Sequence, residues 1–131
     1  MKPITVLAVS WVALLLSACS VGPQVPVKNI GALPPAEKEA VISLPIYNDA
    51  QLAGKSYTII RIVEGISCKN KTWDPAATKT DAINQAKYWA KESGADAIMN
   101  IQCDPPRGPS DAYNCWESVT CTAQAVRLSQ R

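Results

Sequence analysis

An α+β domain, with one main helix packed on a small, largely antiparallel sheet, is the fold this 131-residue chain predicts. Three observations carry that reading. Ala82, Ile83, Ala86, Trp89 and Ala90 recur at the three-and-four spacing of one buried helix face. Residues 56–68, 97–103 and 119–128 alternate apolar with other positions, the period of strands. Cys68, Cys103, Cys115 and Cys121 fall in the same stretch, so two disulfides are expected to staple the sheet. An extended Pro-containing linker precedes this unit. The length suits one small core and is too short for two.

The chain begins Met1-Lys2-Pro3 and continues with an apolar run over residues 4–16. As a helix the run rises only about 20 Å, short of the roughly 30 Å hydrocarbon core, so it reads as an export signal. It closes on Leu16-Ser17-Ala18-Cys19, which resembles the bacterial lipobox. On that reading residues 1–18 are a lipoprotein signal peptide, and Cys19 receives diacylglycerol on its thiol and a fatty acyl group on its new amino end. Several buried chains at about 0.8 kcal/mol per methylene make such an anchor effectively permanent. Ser20 stands where an aspartate marks inner-membrane retention, which points to the outer membrane with the folded domain in the periplasm. No other cofactor is expected.

Residues 19–45 read as the lipidated N-terminus and a flexible linker. Pro23, Pro26, Pro34, Pro35 and Pro45 interrupt helices and sheet ladders, and the stretch has no aromatic residue. Extended polyproline-like chain of that length reaches about 80 Å. Residues 46–131 form the expected disulfide-stabilised periplasmic domain. After the turn at Tyr47-Asn48-Asp49, a short helical or irregular piece ends near Gly54. The first long strand, residues 56–68, is closed by Gly65 and Ser67. A polar loop with Lys69, Lys71, Trp73 and Asp74-Pro75 follows. A helix then starts around residues 78–80, with Thr80 and Asp81 suited to its amino end and Gly94 to a left-handed cap at the other. On the strand over residues 97–103, Ala97, Met99, Ile101 and Cys103 are expected on one side. Asp104-Pro105-Pro106-Arg107 opens a stiff exposed loop, and the last strand covers residues 119–128.

Composition removes several functions. Thirteen Lys and Arg against eleven Asp and Glu leave no basic excess for nucleic acid. The absence of histidine removes Ser-His-Asp and Cys-His nucleophile systems and mixed Cys/His zinc sites. Asp74, Asp81, Asp96, Asp104, Asp111 and Glu117 supply carboxylates, but nothing in their spacing pairs two of them for glycoside chemistry. Neither an enzyme nor a small-molecule substrate is expected.

Four cysteines allow three pairings. On one extended segment Cys115 and Cys121 would stand about 20 Å apart, beyond disulfide reach unless the chain turns sharply. Cys103–Cys115 with Cys68–Cys121, and Cys68–Cys115 with Cys103–Cys121, both remain open; the second uses the full length of the two apolar strands.

The lipobox at residues 16–19, Ile46-Tyr47, Leu52-Ala53-Gly54-Lys55, Gly65 ahead of Cys68, Gly94-Ala95-Asp96-Ala97 and the order of the four cysteines together resemble the RcsF family. These are outer-membrane stress-sensing lipoproteins of the Rcs phosphorelay. The resemblance implies the bridges Cys68–Cys115 and Cys103–Cys121. It implies association with the barrel-assembly machinery and barrel porins at the outer membrane, and engagement of an inner-membrane repressor of the IgaA type. Lys69, Lys71, Trp73, Arg107 and Tyr113, close to the bridges, are the candidate partner-binding residues. Trp73 and Trp116 also have the more ordinary reading of core or lid residues. The alternative function is a passive outer-membrane lipoprotein that binds peptidoglycan or assists barrel assembly.

Overall fold

The computed structural model describes residues 27–109 and 114–129; residues 1–26, Asp111 and Tyr113 lie outside them. In chain order the elements are α1 (Pro35–Ile42), β1 (Ile46–Tyr47), α2 (Asp49–Leu52), β2 (Tyr57–Lys69), α3 (Lys79–Glu92), β3 (Ala97–Cys103) and β4 (Glu117–Leu128). The strands form one sheet in the order β1-β3-β4-β2. β4 runs antiparallel to both β2 and β3, and the two-residue β1 joins β3 in parallel. The sheet is therefore largely antiparallel, and the α+β class holds.

α3 lies across one face of this sheet, and small side chains set the distance. Ala82, Ala86 and Ala90 are fully buried on the helix; Val63, Ala123 and Ala125 oppose them. Gly65, expected near the end of its strand, sits mid-strand instead, because β2 continues to Lys69. A Cβ at Gly65 would lie 2.0 Å from the Ala82 oxygen and 2.3 Å from the Ala86 nitrogen. The missing side chain is what lets the helix backbone rest on the strand.

Both ends of α3 are closed. At the start the Thr78 hydroxyl accepts from the Asp81 amide at 3.1 Å, so Thr78, and not Thr80, is the cap. Thr78 is fixed in turn because its amide donates to the buried Ser67 hydroxyl at 3.0 Å. At the far end Gly94 has φ +79, its amide reaches the Lys91 carbonyl and the Ala95 amide reaches that of Ala90. That pair of bonds satisfies carbonyls that would otherwise be orphaned.

The strict alternation expected in β3 breaks at Asn100, whose φ is +54, and the register against β4 shifts between Met99 and Gln102. The bulge flips the faces. Ile98, Ile101 and Cys103 face the helix side, while Ala97 and Met99 pack with Leu52 and Val126 on the other. The Asn100 side-chain Nδ2 donates to an Asp49 carboxylate oxygen at 2.8 Å, tying the bulge to α2.

The extended linker expected up to Pro45 stops short, because from Lys28 onward the chain is folded against α3. Ile30 and Val41 are buried against Tyr88, with Leu33 and Trp89 packed around them. Leu44 enters the main core. Pro34 and Pro35 begin a helix here instead of breaking one: Pro35 occupies the first helical position, where its missing amide costs no hydrogen bond.

Candidate functional site

The two disulfides join Cys68 to Cys115 and Cys103 to Cys121, with Cα separations of 5.5 and 4.0 Å. Their placement follows from strand register. Cys103 and Cys121 are directly opposed on β3 and β4, and both pack with Ala82 and Val119 beneath α3. Cys68 is three residues beyond Gly65 along β2, so it projects from the opposite face of the sheet. One bridge thus lies under the helix, and the other ties the segment around Cys115 to the open side. Sequence separations of 47 and 18 correspond to about 4 and about 3 kcal/mol in the chain-entropy account.

The Cys68–Cys115 bridge marks one end of the sheet, where the candidate residues gather. Lys69 pairs with Glu117 across β2 and β4, and the Trp116 amide donates to the Lys69 carbonyl at 2.7 Å. The loop after β2 is shaped by Asp74, whose carboxylate accepts from the Asn70 and Lys71 amides at 3.1 and 2.9 Å. This turn presents Trp73, which is 79% exposed, with the Lys71 ammonium 5.7 Å from its ring centre. Trp116 is 67% exposed. On the other side of β4, Arg107 bridges to Ser118 through two backbone hydrogen bonds of 2.9 and 3.1 Å. Its guanidinium meets Asp104 at 3.1 Å, so its charge is partly engaged.

Register therefore brings Lys69, Lys71, Trp73 and Arg107 to the same end of the sheet, on either side of the start of β4. Tyr113 lies outside the described residues, as does Cys19. The core or lid reading of Trp73 and Trp116 is overturned: both stand in solvent. Trp116 belongs with the candidate residues, and its place beside Cys115 is the sequence signal that pointed to it. Two large exposed aromatics beside lysines suit a protein surface, since Trp, with Arg, concentrates binding energy at interfaces.

The carboxylates have local structural roles. Glu117 accepts from the Ala77 amide at 2.8 Å, Asp96 from the Leu128 amide at 2.9 Å, and Asp104 holds Arg107. Among the described residues no cluster of three metal-ligating side chains occurs, and no helix is long and apolar enough to cross a membrane.

No family model matches the chain. It is similar to the Outer membrane lipoprotein RcsF of Escherichia coli strain K12, with 27% identity over 134 residues that cover 95% of this chain and 98% of the relative. The same protein of Escherichia coli O6:H1 matches with the same identity and coverage. The likeness extends over nearly the whole of both chains.

Proposed function

We propose that the exported chain is acylated on Cys19 with diacylglycerol and a fatty acyl group, and that it carries a signal of lipopolysaccharide or envelope damage to the inner-membrane Rcs phosphorelay through protein–protein contact. The observation that carries this reading is the full-length likeness to an outer-membrane lipoprotein of that system. At the outer membrane its partners would be the barrel-assembly machinery and barrel porins; at the inner membrane, a repressor of the IgaA type. The chain turns over no substrate on this reading. It acts by availability, since binding one partner changes signalling only by competing with or releasing another. Lys69, Lys71, Trp73, Trp116 and Arg107 form the contact surface toward the repressor, with Tyr113 close to it in sequence.

The test is a gene deletion complemented with wild type or with the Trp73→Ala/Trp116→Ala double variant, read by a phosphorelay reporter under lipopolysaccharide damage. Wild type restores the response, and the double variant accumulates normally yet fails to restore it. A reporter response that survives deletion overturns the reading in favour of a passive lipoprotein that binds peptidoglycan or assists barrel assembly.

A further inference from the structure

We propose that residues 28–44 are a releasable strap that sets the working length of the membrane tether, an inference that rests on the acylation of Cys19 argued above. The strap is held on the outer face of α3 by a small set of contacts. The buried Gln85 side chain clamps the backbone of one residue: its Oε1 accepts from the Lys28 amide at 2.9 Å, and its Nε2 donates to the Lys28 carbonyl at 2.5 Å. The Lys28 ammonium lies 5.4 Å from the Tyr88 ring centre. At the other end the Lys87 ammonium donates to the Ile42 carbonyl, the last of α1, at 2.6 Å. Between these points Ile30, Leu33 and Val41 meet Tyr88 and Trp89, and beyond them Leu44 is the one strap side chain among the described residues that enters the main core, so release must also withdraw it.

Two features make this docking reversible in kind. α1 satisfies its own backbone groups and shares no sheet ladder with the domain, so it leaves without stranding amides; the first backbone bond to the sheet comes only at Pro45, from the Ile98 amide. The docked state also carries polar costs at α3 residues that the strap touches. The Trp89 Nε1 donor is buried with no partner among the described residues, and burial lowers the pKa of Lys87 below 10.5.

The consequence is geometric. With the strap docked, only residues 19–28 separate the acyl anchor from the domain, an extended reach of about 30 Å. With it released and α1 still helical, the free chain runs to Ile46 and reaches about 70 Å. The same anchor then holds the domain near its own membrane in one state and lets it stand tens of ångströms further off in the other. Release also uncovers Tyr88 and Trp89.

The test uses the acylated full-length protein in phosphatidylethanolamine–phosphatidylglycerol vesicles, as wild type and Gln85→Ala. Amide hydrogen exchange and the distance from the bilayer to a label at the exposed Thr122 are read. In wild type, residues 28–44 exchange at least about ten-fold faster than β4, the mark of local opening. Gln85→Ala speeds them further without changing β4 and lengthens the distance by tens of ångströms. Exchange of 28–44 in step with β4 in both proteins overturns the proposal, as does an unchanged distance. If Gln85→Ala does not fold, Ile30→Ser, which alters neither helix α3 nor the sheet, gives the same readouts; a single cooperative loss of the whole domain in that variant also overturns it. An unacylated amino end would sink the functional reading, while the exchange data would still decide whether the strap opens.

Discussion

Replacing Gly65 with alanine tests the packing on which the fold depends. The added methyl would sit 2.0 Å from a backbone oxygen and 2.3 Å from a backbone nitrogen of α3. Neither atom can rotate away as a side chain tip would. Reaching ordinary contact near 3.4 Å requires the helix to retreat by about 1.4 Å, the difference between 3.4 and 2.0 Å. That retreat loosens Ala82, Ala86 and Ala90 against Val63, Ala123 and Ala125 together. Overpacking costs 1–3 kcal/mol where side chains can adjust, so a backbone clash belongs at or above about 3 kcal/mol. In a domain near 100 residues that is a fall in Tm of about 15 °C. Thermal and urea unfolding of the oxidised protein measure it, with Gly108→Ala as control because nothing lies within 4 Å of its Cβ position. A Gly65→Ala variant within about 0.5 kcal/mol of wild type would refute the reasoning, since surface substitutions alone stay in that range.

Other predictions follow from single contacts. Thr78→Ala costs about 1 kcal/mol through loss of the α3 cap, whereas Thr80→Ala stays near wild type; urea unfolding separates them. Burial holds the Lys87 pKa below 10.5, so the folded chain binds fewer protons than the unfolded one just below that pH. Its penalty is present below the lowered pKa and fades as pH rises from there toward 10.5, so wild type gains stability relative to Lys87→Gln as pH approaches 10.5 in paired unfolding curves. Cys103→Ser removes a bridge worth about 3 kcal/mol and is expected to abolish accumulation of folded domain, which protease resistance measures.

What the sequence disclosed and what it hid divide along physical lines. The bounds of β3, the α3 stripe and the Gly94 cap are local signals, set by periodicity and by a conformation that favours glycine. The cap at Thr78 was displaced by two residues because Ser67, distant in sequence, fixes its amide. Gly65 reads locally as a strand breaker, and only the helix above it explains its place. The flip at Asn100 is invisible to a period-two pattern because a bulge inserts one residue without changing composition. The folding of residues 28–44 onto α3 is hidden because prolines read as breakers; Pro35 at a helix start, and a partner face on α3, reverse that meaning. Two-residue β1 is too short to leave any periodic trace. At the candidate site the residue types were legible, but their convergence depends on the β2–β4 register and the Arg107–Ser118 bridge.

The most direct measurement is mass spectrometry of non-reduced peptides from the native protein, together with the mass of its amino end. The account predicts Cys68 joined to Cys115, Cys103 joined to Cys121, and a chain that starts at an acylated Cys19. Free thiols at these positions, a Cys68–Cys121 link, or an amino end without lipid would contradict it.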